Sequence, residues 1–477
     1  MKTTPGKIND SLNEPEYEHN HQEHSDKKNH SCTQFPLTKH IQKDCAFDGA
    51  MQALVPITDA AHLIHGPSGC INTCWGNRGS LSSGSMMYKV YFTTDMDEKD
   101  IIFGGAKKLY KAILELERRY KPAAVFVYST CVSALIGDDI NGACSNAAEK
   151  TGTPIIPVDC PGFVGGKSQG IRLAGEAMLE HVIGTAQPEF TTPYDINLIG
   201  NYNVAGAMWN ILPLLEKLGI RVLSKITGDA RYKEVCYAHH AKLNVIGPST
   251  ALLKMARKME KRFGIPYIQE SFYGIENINQ GLRNIAARLA DLDLQERAEK
   301  LIASETAALD EKLAPYRSYL QGKRVLIDTA DMRSWSILSA VKHLNMEVIA
   351  IAALKMSEDD RARIKRLLGS DLPSEKERSY RTILQLEGHQ EILQIINENK
   401  ADILIAADIH QYASVKTRIP FLDIKAEVRH SYIGYTGILE AAQKLYATLT
   451  NPVWQLVGKS APWEEDIETL RHRDMER

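Results

Sequence analysis

Three of the eight cysteines in this 477-residue chain stand in settings suited to metal chemistry. Cys45 opens Cys45-Ala46-Phe47-Asp48-Gly49-Ala50. Cys70 closes His65-Gly66-Pro67-Ser68-Gly69-Cys70, and Cys131 ends Ser129-Thr130-Cys131. Each reads as a turn or loop position with small neighbours, which let backbone approach a bulky inorganic group and hydrogen-bond to its sulfides. Thiolate is a soft ligand that suits iron–sulfur clusters and zinc. The chain holds no Cys-x-x-Cys pair, so zinc-ribbon and ferredoxin patterns are absent. Three thiolates also leave one iron of a four-iron cubane unserved. A fourth ligand has to come from another residue or another chain.

The other cysteines carry weaker signals. Cys74, four residues after Cys70, is either a further ligand or a small polar-loop residue, and the second reading is favoured. Cys32 lies in a polar N-terminal stretch. Cys144 falls on an Ala-rich helical segment, Asn141 to Lys150, and reads as core. Cys160 ends a strand just before Pro161-Gly162. Cys236 precedes Tyr237-Ala238-His239-His240, a thiol and two imidazoles in one short segment with no second group of ligands.

The elements that must position these groups follow an α/β pattern. Apolar runs predict strands over Val125–Tyr128, Ile155–Val158, Ile196–Ile199, Arg221–Leu223, Lys242–Ile246, Arg324–Asp328, Glu347–Ile351 and Ile403–Ala406. Helical periodicity falls between them, at Lys107–Tyr120, Leu252–Phe263, Trp335–Leu344 and a long charged helix over Leu282–Leu320. This alternation predicts doubly wound, Rossmann-like parallel sheets with sites at the strands' carboxyl ends. At about 150 residues per domain the length predicts three such domains: 41–190 with the three cysteines, 191–320 with the long helix, and 321–437. The segment 438–477 is expected to pack back on the first. Residues 1–40 are polar and hold His19, His21, His24, His30 and His40. They read as a disordered extension that buries too little to offset its ordering entropy, rather than a metal-sequestering tail.

Charge narrows the function. Lys+Arg 57 against Asp+Glu 59 gives a net charge of -2, where a dedicated nucleic-acid binder shows a basic excess. No apolar stretch approaches the roughly 18 residues of a membrane helix, and the N-terminus has no apolar signal core. The expectation is a cytoplasmic protein with neither nucleic acid nor membrane as partner.

Taken in order, several motifs together resemble the nitrogenase component 1 family. Besides the three cysteine stretches they are Trp75-Gly76-Asn77-Arg78-Gly79, Phe92-Thr93-Thr94-Asp95, Glu98-Lys99-Asp100-Ile101-Ile102-Phe103-Gly104-Gly105, Leu135-Ile136-Gly137-Asp138-Asp139-Ile140, Pro161-Gly162-Phe163-Val164-Gly165, Ser271-Phe272-Tyr273-Gly274 and Asn451-Pro452-Val453-Trp454. The likeness spans residues 40 to 457. Within the family it is nearest the alpha-type subunit of the cofactor-assembly scaffold.

The resemblance implies three α/β domains per subunit in an alpha2beta2 heterotetramer. It implies that Cys45, Cys70 and Cys131 hold a [4Fe–4S] cluster at the interface with a beta-type subunit, which supplies the missing ligand. It also implies an iron–sulfur precursor received from a radical-SAM protein. Molybdenum or vanadium and homocitrate would be inserted with the nitrogenase iron protein, and the product passed to apo-nitrogenase. The alternative is the catalytic alpha subunit of a nitrogenase-type reductase. There the mature cofactor is anchored by a cysteine and a histidine, and those positions fall on Pro248 and Ile433, which cannot coordinate metal. The reductase's catalytic histidine falls in Ser168–Arg172, which contains none. Scaffolds of this type keep a cysteine near Pro248, so precursor anchoring here departs from the pattern. Cys236, His239 or His240 are candidates, as is a pocket without a thiolate anchor. Lys167, Arg172, Arg429 and Arg78 are candidate contacts for the anionic precursor and homocitrate. His65 and His430 read as structural hydrogen-bonding groups.

Overall fold

The structure is a computed structural model that describes residues 45–71, 80–85, 87–247, 250–328, 334–352, 382–384, 389–424 and 430–457. The polar stretch 1–40 lies outside them.

Three parallel sheets make up the described chain. The first runs β2 (Tyr91–Thr93), β1 (Ala61–His65), β3 (Val125–Ser129), β4 (Ile155–Val158). The second runs β6 (Arg221–Ile226), β5 (Asp195–Ile199), β7 (Leu243–Ile246), β8 (Tyr267–Gln269). The third runs β11 (Thr382–Leu384), β10 (Glu347–Ala352), β9 (Arg324–Asp328), β12 (Ile403–Ala406), β13 (Phe421–Asp423). Every strand pairing is parallel. Central strands β1, β3, β5, β7 and β12 are buried at every position. Burial on both faces is what near-continuous apolar runs demand, and helices supply the cover.

All eight predicted strands are present, with ends shifted by a residue or so except at β6, which runs on to Ile226. Four of the six edge strands, β2, β8, β11 and β13, escape the sequence reading because each has only three residues. The central strand β1 escapes it for another reason. Its sequence, Ala-His-Leu-Ile-His, interrupts the apolar run with two histidines. Both are fully buried: His62 Nδ1 lies 2.7 Å from the Tyr128 hydroxyl, and His65 is treated below.

The long charged helix is two helices. Ile275–Arg288 ends before Ala290, whose φ of 57° is left-handed, and Leu292–Leu320 then starts under an Asp291 cap that accepts from Leu294 N–H at 2.9 Å. Helical periodicity continues across the break, so only the cap residue marks it. At the C-terminal end the helix Gly434–Thr450 packs on Leu292–Leu320 and Ser334–His343. Its buried Ile438, Ala441, Ala442 and Leu445 join the core shared by the second and third sheets. Residues 458–477 lie outside the described part.

Candidate metal centre

The three cysteines reach one place from three directions. Cys70 follows β1 and Cys131 follows β3, and these strands are neighbours with His65 paired to Ser129. Both cysteines therefore sit beyond adjacent carboxyl ends of one parallel sheet, where such sheets build sites. Cys131 is the first residue of the helix Cys131–Leu135, under a Thr130–Ser133 capping box. Cys45 is the N-cap of the helix Ala46–Leu54, in extended backbone at φ -103° and ψ 164°. First-turn N–H groups of a helix have no intrahelical partner and are free to meet an anionic group there.

Gly162, after β4, closes the set. A Cβ at Gly162 would lie 3.0 Å from Cys131 Sγ and 3.1 Å and 3.4 Å from Cys45 Cβ and Sγ. The glycine keeps room beside both thiols. Cys70, Cys45 and Cys131 are all free thiols and half-buried. Burial pushes the Cys70 thiol up, and nearby Cys131 and Cys45 push it further. A cationic group bound here has to displace the Cys70 proton against that raised value.

Among the described residues, no three His, Cys, Asp or Glu side chains gather closely enough to hold one metal ion. A multi-iron cluster spreads its ligands over separate irons. The soft donors, the glycine cradle and the half-open position fit a cluster.

Cysteine placement depends on unusually close helix packing. The helix Ala46–Leu54 lies against Lys167–His181 through two glycines. A Cβ on Gly49 would lie 2.0 Å from Lys167 O, and one on Gly170 would lie 1.7 Å from Ala46 O. Backbone meets backbone at both points. Lys167, a candidate precursor contact, has its Nζ 3.6 Å from Oδ2 of the buried Asp48. Its charge is committed to a carboxylate one turn past Cys45. Arg172 donates to Gln169 Oε1 on its own helix. Arg78, Arg429 and Pro248 lie outside the described residues. Ile433 is buried as the N-cap of Gly434–Thr450.

Cys160 was a missed neighbour. It is fully buried behind the site, and its thiol is pushed well above the ordinary value, first by burial, then by Asp159 and by Cys45 and Cys131. Its Sγ lies 3.7 Å from Ser129 O, directed into the protein. Cys160→Ser is therefore expected to keep its iron content within about 20% of the unchanged complex, by metal analysis, since a serine keeps this inward hydrogen bond; loss of the iron would make Cys160 a ligand. Cys236, His239 and His240 do not gather into a metal-holding group: the thiol is raised by burial, and the two imidazole rings stand 4.2 Å apart.

A second enclosure, mostly apolar in its lining, begins further along Ala46–Leu54. Asp48, Gln52, Ser80, Tyr88, Tyr91 and Tyr202 line a cavity of about 50 Å³. Gln52 Oε1, Ser80 Oγ and Tyr202 OH are buried there without partners. The space suits a few waters, not a cluster. No sequence signal marks these residues, because they come from separate segments.

Residues 45–450 match the family described as Nitrogenase component 1 type Oxidoreductase. The chain belongs to the nitrogenase component 1 family. Within this family it is 59% identical over 472 residues to the nitrogenase iron-molybdenum cofactor biosynthesis protein NifE of Nostoc sp., covering 99% of this chain and 96% of that one. It is 56% identical over 464 residues to the protein of that name from Rippkaea orientalis, covering 97% of each. The Klebsiella pneumoniae protein of that name is 42% identical over 462 residues, covering 95% of this chain and 98% of that one. Among solved structures, the nitrogenase component 1 chain titled Nitrogenase Cp1 at pH 5 superposes with a TM-score of 0.75 at 29% identity, covering 90% of this chain and 92% of that one. The three-sheet architecture is thus that of the family. No helix among the described residues is long and apolar enough to cross a membrane.

Proposed function

We infer that this chain is a scaffold for biosynthesis of the nitrogenase iron–molybdenum cofactor. It pairs with a beta-type, NifN-like subunit in an alpha2beta2 complex and shares a [4Fe–4S] cluster with it through Cys45, Cys70 and Cys131. The observation that carries the pairing is the openness of the thiol set. Gly162, touching Cys131 and Cys45, is followed directly by Phe163 and Val164, which are 58% and 44% exposed. Large apolar groups left in water beside an incomplete ligand set suit a partner that covers both. The bound cluster supplies electron-transfer capacity; this chain's residues supply three thiolates, room at Gly162, and a rigid seat on the helix Ala46–Leu54.

The cargo is an iron–sulfur precursor, delivered by a radical-SAM protein and released to apo-nitrogenase after homocitrate and metal insertion with the iron protein. Molybdenum is favoured over vanadium because the relatives are named for the iron–molybdenum cofactor. Buried, aliphatic Ile433 offers no anchor where a reductase has histidine, and weak anchoring suits a group that must leave. All of this fits a cytoplasmic protein.

The test is reconstitution. The complex, purified anaerobically with its beta-type partner and loaded with precursor, molybdate, homocitrate and reduced iron protein, is expected to activate apo-nitrogenase. Alone with the iron protein it is expected to reduce neither dinitrogen nor acetylene at a rate above about 1% of nitrogenase. Failure to activate, or substrate reduction by the complex itself, overturns the scaffold reading.

A further inference from the structure

The loop that carries Cys70 is held at its base by a fully buried histidine. His65, the last residue of β1, is 0% exposed, and its partner Asp138 is 4% exposed at the side chain. His65 Nε2 lies 2.9 Å from Asp138 Oδ2, and Nδ1 lies 3.0 Å from Thr94 Oγ1. A carboxylate only accepts, so Nε2 carries a proton, and in the neutral ring Nδ1 is then the acceptor. The Thr94 hydroxyl then donates to Nδ1, while its lone pair accepts Gly66 N–H at 3.2 Å. Every group is satisfied with a neutral ring, in agreement with the direction of the His65 pKa, lowered chiefly by burial against the opposing pull of Asp138.

The same residues tie the Cys70 loop to the Cys131 helix. Thr130 Oγ1, on the residue before Cys131, donates to His65 O at 3.0 Å. Gly66 fits against that threonine so closely that a Cβ there would lie 2.3 Å from Thr130 Oγ1. Gly66 O accepts from Thr93 Oγ1 at 3.2 Å and from Met96 N–H at 3.1 Å. Asp138, just beyond the Cys131 helix, accepts Gly105 N–H at 2.8 Å.

We propose that His65 is a positioning residue for the thiol site: as the Nε2–H tautomer it clamps Thr94 and Asp138, and so sets where Cys70 stands relative to Cys131. It touches no thiol. Histidine suits the post because one flat ring presents a donor and an acceptor in opposite directions, which no aliphatic residue can do. This inference rests on the iron–sulfur reading above.

The experiment uses the complete complex, purified anaerobically. His65→Gln retains one amide in place of two ring nitrogens, and Thr94→Val removes only the hydroxyl. Leu116→Ala, in a buried helical position of the same domain, is a control for general loss of stability. Both network variants are expected to keep the cluster while changing its electron paramagnetic resonance line shape. They are also expected to release iron to a chelator about tenfold faster, as loss of a hydrogen bond to a charged or buried group implies. Leu116→Ala is expected to lower the melting temperature without changing the line shape. Should His65→Gln fail to assemble, Thr94→Val decides. Unchanged spectra and release rates in the network variants, or the same spectral change in Leu116→Ala, overturn the positioning role while leaving the cluster reading intact. An unaltered complex with no iron overturns both.

Discussion

Cys131→Ala is expected to empty the proposed interface cluster, removing at least about nine-tenths of its iron, and to weaken association with the proposed beta-type partner by tenfold or more. The variant costs the fold itself little. Cys131 is half-buried at the start of a five-residue helix, whose Thr130–Ser133 capping box does not use the thiol. Its loss removes one of the three thiolates, and the neighbouring Cys160, turned inward, offers no replacement. Metal–thiolate binding amounts to about 10 kcal/mol or more where folding or assembly depends on it, so losing a ligand outweighs the change in packing. Iron analysis, electron paramagnetic resonance and sedimentation of the co-expressed complex check this, with circular dichroism to show that the chain stays folded. Full iron occupancy in Cys131→Ala would remove this residue from the ligand set.

Gly170→Ala is expected to be as damaging by a different route. Helix propensity alone favours alanine over glycine by about 1 kcal/mol. Sterics oppose it: the new Cβ would lie 1.7 Å from Ala46 O and 2.7 Å from Ala50 N. Those are backbone atoms, with no side chain that can swing aside. The helices must move apart, and overpacking of this kind costs about 3 kcal/mol or more. Ala46 adjoins Cys45, so the ligand moves with the helix. The expected outcome is a melting temperature lower by several degrees and loss of iron. Gly281→Ala, inside the helix Ile275–Arg288, is the matched control, because the nearest atom to the added one lies 3.5 Å away. It is expected to behave as the unchanged chain; equal damage from both would show that the helix contact is not the cause.

Much of the fold is legible in the residues themselves. Parallel strands covered on both faces read as apolar runs, which is why β3, β4, β9 and β12 stand out. β1 is hidden by its own histidines, although it carries the loop to Cys70. The break at Ala290 is hidden because a single left-handed residue leaves helical periodicity intact on either side.

The candidate site divides in the same way. Residue type and small neighbours single out Cys45, Cys70 and Cys131, because thiolate softness and backbone access are local properties. The incompleteness of three thiolates is equally local arithmetic, and it points to a partner. Which groups surround those thiols is decided by contacts between distant segments. Lys167 reads as a free cation in sequence, yet lies against Asp48. Cys160 reads as a strand end, yet stands behind the site. Gly162, Gly49 and Gly170 look like ordinary glycines until the atoms opposite them are known. Likewise the placement of the His65 ring proton on Nε2 follows from Asp138, 73 residues away, and its partner at Nδ1 from Thr94, 29 residues away. The sequence by itself determined the α/β class, the three thiols and their incompleteness, all set by side-chain chemistry and short-range periodicity. Tertiary structure alone decided the cradle, the clamp and the committed charges, because steric fit and hydrogen bonding act at contact distance between chain segments that no local pattern relates.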